Sequence, residues 1–290
     1  IRNNISGKAK FKPFKNFTIG FTTRFTNTEV LGSGSNAIKD NGTSTESRLR
    51  NCVVYTPTTL LSKSDGSLEE EDETFGSLYD PLTTIRDNYK LKMDKKWNIQ
   101  GYMSYKFAKH FTARVDLGYQ SRHISTDRYY GPTTYFARNT GRPGIEGGTA
   151  QLQVTDEYST VLTNHNTLEW KQTFESDHNV SVLVGEETVI RKGETKNQYG
   201  FGYKGSYDVL NGEIFNYLGQ AAYSEFTNYV DPRDNQLSFL ARANYDYKGR
   251  YYITATFRAD CSTRFAEGNQ WGYFPSAALA WRMSDEEWMQ

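Results

Sequence analysis

Residues 236–247, Gln-Leu-Ser-Phe-Leu-Ala-Arg-Ala-Asn-Tyr-Asp-Tyr, and 251–260, Tyr-Tyr-Ile-Thr-Ala-Thr-Phe-Arg-Ala-Asp, decide the fold of this chain. Leu237, Phe239, Ala241, Ala243, Tyr245 and Tyr247 fall on one parity, and Ser238, Arg242, Asn244 and Asp246 on the other. Side chains of a strand alternate between its two faces, so this is a strand with one apolar and one polar face. After Lys248-Gly249-Arg250 the pattern resumes, with Tyr251, Ile253, Ala255, Phe257 and Ala259 opposed to Tyr252, Thr254, Thr256, Arg258 and Asp260. The two runs read as a hairpin. A soluble β-sandwich would produce the same alternation, so the pattern by itself leaves the class open.

The wording of the segment narrows it. Thr254-Ala255-Thr256-Phe257-Arg258-Ala259-Asp260-Cys261-Ser262-Thr263-Arg264-Phe265 is followed by Gly272-Tyr273-Phe274-Pro275-Ser276 and then by Trp281-Arg282-Met283-Ser284-Asp285-Glu286-Glu287. In order and spacing this resembles a signature of the SusC/RagA family of TonB-dependent outer-membrane transporters. Cys261 stands where that family usually has Gly, and Thr263 where it usually has Ser. Cys carries a steric cost at positive φ, which argues against a tight Gly-dependent turn there. Arg258, Asp260 and Arg264 read as a structural network of the wall rather than as a substrate site. Thr254, Ser262, Phe265, Gly272, Phe274, Pro275, Ser276 and Trp281 belong to the same signature.

Composition excludes several classes. Lys and Arg number 34 and Asp and Glu 34, so no excess of positive charge marks a nucleic-acid partner. No apolar run approaches the ~20 residues of a membrane helix. A mean hydropathy of −0.73 is no obstacle to a membrane barrel, because only alternate residues of each strand face lipid. The 21 Tyr and 17 Phe suit aromatic girdles at two membrane interfaces. Ile1 to Lys10 lack the basic and apolar regions of a signal peptide.

Alternation recurs along the chain. Strand pairs are expected around Ile5–Phe11 and Phe17–Phe25, Trp97–Phe107 and Phe111–His123, Ser159–Phe174 and Val180–Val184, with a last strand from Ala277. Short turns near Phe14, Lys109, Asp177 and Gly249 alternate with long segments at 27–91, 129–155, 197–233 and 261–272. Short turns on one side and long loops on the other are the grammar of an up-and-down transmembrane barrel. The reading is therefore all-β, an antiparallel barrel in part, with about nine strands where the resemblance implies 22. Residues 1–290 would form part of one TonB-dependent receptor barrel domain, with its plug domain and C-terminal strands absent. Glu186 falls on the parity of Val182 and Val184, so either it lies near the outer rim or a bulge shifts the register before it.

The search for chemistry yields little. His110 and His178 fall in expected turns, His123 high on a strand and His165 on the lumen parity; no nucleophile elbow, zinc-protease motif or P-loop occurs, so no enzyme, cofactor or metal is expected. Cys52 and Cys261 fit no metal spacing; both fall near loops on one side, where a disulfide is open, but two free thiols is the simpler reading. The acidic run Glu69–Glu73 lacks calcium-loop spacing and reads as a solvated loop. Candidate ligand contacts are Arg128, Tyr129, Tyr130, Tyr135, Phe136, Arg138 and Trp271, since Tyr and Trp faces pack on sugar rings while Arg holds hydroxyls or carboxylates. The competing reading of each aromatic is girdle or loop packing. Arg24, Arg114, Asp116, Arg242, Arg258 and Asp260, on the lumen parity, are expected to pair across strands.

The resemblance implies energised import of an oligosaccharide, or of a peptide, across the outer membrane of a Gram-negative cell. It implies a SusD-like surface lipoprotein outside, the TonB complex inside and outer-membrane lipid around the barrel. A passive porin or a surface adhesin without energy coupling is the alternative.

Overall fold

The computed structural model describes residues 1–32, 87–132, 134, 137, 142–145, 148–203 and 213–289. Ten strands make one antiparallel sheet: β1 (Arg2–Phe14), β2 (Phe17–Gly32), β3 (Asn88–Phe107), β4 (Phe111–Tyr130), β5 (Ala150–Phe174), β6 (His178–Tyr203), β7 (Tyr223–Val230), β8 (Asp234–Tyr247), β9 (Tyr251–Ser262) and β10 (Trp271–Trp281). They follow chain order, except that β6 pairs β8 along His178–Arg191 and β7 along Glu194–Phe201. β7 and β8 thus lie end to end along β6, parted by residues 231–233. At that crossing the Asp231 carboxylate lies where a Cβ on Gly193 would stand, so a larger residue there would displace that carboxylate. The sequence pattern puts residues 223–230 inside the long segment 197–233, whereas the structure makes them a strand. Tyr and Glu alternate there with Ser, Phe, Asn and Val, both parities are mixed, and period two gives no contrast to read.

Three of the short turns place two successive residues in the left-handed region: Ala108 and Lys109, Glu175 and Ser176, Lys248 and Gly249. Consecutive positive φ values match the right-handed twist of the strands they join. Only one of these six residues is glycine, so non-glycine strain is accepted at the other five. Each turn is also tied to the next hairpin. The carbonyls of Asn16, His110, Asp177 and Arg250 accept from the amides of Lys106, Lys171, Lys248 and Arg282 at 2.7–2.9 Å. All the short turns therefore sit at one end of the sheet, as their alternation with long segments requires.

The strands outrun a bilayer. β5 has 25 residues and β6 has 26, against the ~9–11 a tilted strand needs to cross hydrocarbon. The surplus lies at the end away from the short turns. β2 and β3 stay paired to Gly32 and Lys90, and β5 and β6 up to Ala150 and Tyr203, so much of what the sequence reading gave to loops is sheet. Strong alternation ends at the bilayer edge, because beyond it both faces meet water.

Register assigns the faces. Phe21, Gly101, Leu117, Asn164, Thr188, Leu237, Cys261 and Trp271 lie on one row and on the apolar parity. Among the described residues no layer packs on this face where it is most apolar: Trp97 is 50%, Leu117 50% and Leu279 78% exposed. A broad apolar face left open in this way belongs against lipid, with aromatic stacks at its margins. Near the turns these are Phe107 on Phe111, Tyr247 on Tyr251 and Tyr251 on Trp281; at the far margin they are Phe239 on Trp271 and Phe257 on Tyr273.

Above the margin the same face acquires a cover. A short 3-10 segment, Glu213–Gln220, buries Ile214 against Tyr129, Ala150, Leu152 and Tyr203. This small core is the most enclosed apolar cluster among the described residues. Its position confirms that the outer extension stands in water, where a sheet face needs a second layer.

Candidate functional site

The polar face of the wall holds most of the charged groups, and one register row crosses it from β2 to β10. It runs Gly20, Tyr102, Asp116, His165, Glu187, Ser238, Asp260, Gly272. At both ends an aromatic ring covers a glycine: Tyr102 lies over Gly20 across the strands, and Phe274 over Gly272 along its own. Any side chain at either glycine would displace the ring.

Two Arg-x-Asp forks stand beside this row. Arg114 donates to both oxygens of Asp116 at 2.7 and 2.6 Å and stacks its guanidinium 4.1 Å from the Tyr102 ring. Arg258 Nε donates to Asp260 at 2.7 Å, and Nη2 reaches Ser238 Oγ at 3.1 Å and Glu187 at 3.5 Å. The sequence reading expected these arginines to pair across strands; both take their main partner along their own strand. Alternate residues share a face at ~6.5–7 Å spacing, and the long guanidinium stem folds over that gap. Arg242 does reach across, weakly, to Thr256 at 3.5 Å. Arg24 has no charged partner among the described residues.

The first part of the signature segment is tied into β8, and its last part to the start of β9. Thr254 donates to Asn244, which donates to Ser181, joining three strands. Thr263 Oγ1 donates to the Arg233 carbonyl at 2.9 Å and accepts from the Asn235 amide at 2.9 Å, so replacing Ser by Thr keeps the hydroxyl that matters. Arg264 donates to Asp234 at 2.7 Å. Cys261 is paired within β9, opposite Leu237 and Trp271, and does not need the conformation of glycine. At the turn end, Glu286 accepts from Tyr251 Oη at 2.6 Å and from Trp281 Nε1 at 3.0 Å, with Arg250 at 3.6 Å. Those donors, Tyr251 foremost, hold its carboxyl below the usual carboxylate range. Glu187, Ser238 and Glu286 were not singled out from sequence. Ser238 is fully buried, a polar residue at a polar strand position, and only contacts reveal its role.

The proposed ligand contacts separate. Tyr129 and Tyr130 are 7% and 4% exposed, leaving little ring face for a sugar. Burial pushes the Tyr129 hydroxyl up to about 12. Burial, with Asp156 nearby, also raises the Asp127 carboxyl, which sits between Leu91 and Val154. Arg128 stacks 4.3 Å from the Tyr130 ring on the polar face. Trp271 lies on the apolar face against Phe239. Tyr135, Phe136, Arg138, the acidic run at 69–73 and Cys52 with its possible pairing lie outside the described residues. His123 is on the apolar parity above the lipid margin, bonded to Asp156 at 2.7 Å and stacked on Tyr158. Among the described residues no three His, Cys, Asp or Glu side chains converge on one point.

Glu186 keeps the register: the β5–β6 ladder has no shift near it. It faces the apolar side, accepting from Asn166 Nδ2 at 2.8 Å and from Thr188 Oγ1 at 2.5 Å. Counted from the turn end of each strand, Glu186 stands level with Phe25, Tyr119, Phe239 and Tyr273. At ~3.3 Å per residue and about 40° of tilt that height is about 20 Å above the turns, at the outer margin of the lipid band.

A single-layer sheet with one lipid-suited face, one polar face and all short turns at one end is a stretch of transmembrane β-barrel wall. No protein-family model matches the chain. A TonB-dependent receptor of Formosa agariphila is 28% identical over 290 residues, covering 99% of this chain and 25% of the relative. The TonB-dependent receptor SusC of Bacteroides thetaiotaomicron is 41% identical over 58 residues, 20% of this chain and 6% of that protein. The structure of the RagAB peptide importer in its closed-closed state superposes with a TM-score of 0.70 at 16% identity, over 100% of this chain and 31% of that one. In fold and in sequence the chain is similar to barrel wall of TonB-dependent receptors of the SusC/RagA type. It spans about a quarter of the length of the long curated relatives it matches.

Proposed function

We propose that the protein containing this chain imports oligosaccharides or peptides across the outer membrane of a Gram-negative cell, driven by TonB and aided by a SusD-like surface lipoprotein. Residues 1–290 supply one continuous part of its barrel domain, with the signature segment bracing the wall. The observation that carries this reading is the agreement between the signature's order and its contacts. Arg258 and Asp260 with Glu187 and Ser238, Thr263 and Arg264 with the start of β8, and Trp281 with Glu286 each brace neighbouring parts of the wall. The named relatives are receptors and importers, in keeping with a transport role rather than an enzymatic one.

The test is uptake of labelled oligosaccharides and peptides by cells producing the full-length protein, with and without TonB and with and without the lipoprotein. Import is expected to require both. Uptake that persists without TonB would replace this reading with a passive pore, and surface binding without uptake would make the protein an adhesin.

A further inference from the structure

We propose that the outer part of the polar face, on β1–β4, is a binding surface for anionic cargo, an extended oligomer bearing carboxylates or sulfates. The proposal rests on the import reading and names the class of substrate for the same lumen.

The chain has equal numbers of acidic and basic residues, yet the two are sorted on this face. Near the row of Asp116, Glu187 and Asp260, arginines stand in forks with their own acids. Further from the turns the balance changes. Lys96 and Lys92 climb the polar parity of β3 with one acid, Asp94, between them. Arg122 takes both oxygens of that acid, at 2.9 and 2.6 Å. Across the strands, Lys96 lies directly opposite Arg122. Like charges directly opposite destabilise a sheet, and Asp94, shared between Lys96 and Arg122, compensates part of that cost, with Glu157 of β5 near Arg122. Arg24, exposed on β2, adds a cation with no charged partner among the described residues.

Arg24, Lys96, Arg122 and Asp94 line one hollow of about 640 Å³, bordered also by Arg2 and by neutral Asn, Ser and Thr side chains of the same face, with Lys92 standing beyond it. Among the described residues its lining holds one acid, Asp94. Such a surface offers cationic and amide donors to an oxyanion and repels a cationic guest. Arg2 on β1 and Lys96 on β3 border it two strand spacings apart, ~10 Å across the sheet, so an occupant that reaches both is an oligomer rather than a single small anion.

The experiment uses the full-length transporter purified in detergent and titrated calorimetrically at low and high salt with two matched pairs. These are maltohexaose with sulfated maltohexaose, and a Gly-Ser hexapeptide with hexaglutamate. At least one charged probe is expected to bind about tenfold tighter than its neutral counterpart at low salt, with the preference shrinking as salt rises. Which charged probe wins distinguishes an acidic saccharide from an acidic peptide. Arg24→Gln with Lys96→Gln is expected to abolish most of the preference while leaving the melting temperature and neutral binding unchanged. Equal affinity within both pairs, or a preference that survives the substitutions, overturns the proposal. So does an unchanged preference with a lowered melting temperature, which assigns these cations to holding another part of the protein. An importer that is TonB-dependent but blind to charge defeats this inference alone. Anion binding without TonB-dependent uptake defeats the import reading alone.

Discussion

Arg258 shows what one side chain does in this wall. Its guanidinium answers Asp260, Glu187 and Ser238 on three strands, so truncation leaves two carboxylates without their shared cation. Arg258→Ala is expected to cost about 1–2 kcal/mol, discounted for its partial exposure, and to lower the temperature at which the barrel loses its compact electrophoretic mobility. In a double-mutant cycle with Asp260→Ala the losses should be less than additive. Glu286 gives a pH-dependent case. Its carboxyl is held low by Tyr251, Trp281 and Arg250, so folding favours the ionised form. The stability it contributes is present above the unfolded-state value and is lost as pH falls through the folded one. Glu286→Gln should therefore melt earlier than the parent at neutral pH, and the two should converge in acid. Arg258, Asp260, Arg264 and Trp281 could be picked from the sequence because a signature contains them. Glu187 and Ser238 could not, since their partners are distant in the chain and meet them only through strand register.

At the scale of the strand, the lipid band sets the tolerance. Val182 lies mid-band on β6, whereas Thr188 stands just beyond Glu186 at the outer margin. Val182→Arg is expected to cost about 2–4 kcal/mol and Thr188→Arg about 0–1, read from denaturant unfolding in lipid. Equal costs would displace the margin argued for Glu186. β1–β6, β8 and β9 were legible because lipid on one side and water on the other impose period two on every crossing segment. β7 and the outer halves of β5 and β6 were not, because both of their faces meet water or a local cover, and polar residues serve on either side. The cover is the segment Glu213–Gln220, whose Ile214 is fully buried, and its partner Tyr129 looked like a ligand contact for the same reason. An aromatic beside an arginine near a loop looks alike in sequence whether it meets a sugar or a core.

At the scale of the molecule, β1 and β10 pair with β2 and β9 and not with each other, so among the described residues the sheet has two open edges. Unpaired backbone groups cannot face hydrocarbon. Residues 1–290 expressed by themselves are expected to give no monomeric, heat-modifiable barrel in lipid, whereas the full-length protein should; a compact monomer from the isolated chain would contradict the open sheet. The sequence by itself determined the antiparallel wall, its two faces and the side on which the short turns lie, because alternation and turn chemistry are local and follow from the residues in place. Only the tertiary structure decided which charges meet: the forks of Arg114 and Arg258 along their strands, the buried Ser238, Lys96 set against Arg122, and Tyr129 turned into a core. Those depend on register between segments far apart in the chain, where a shift of one residue moves every side chain to the other face.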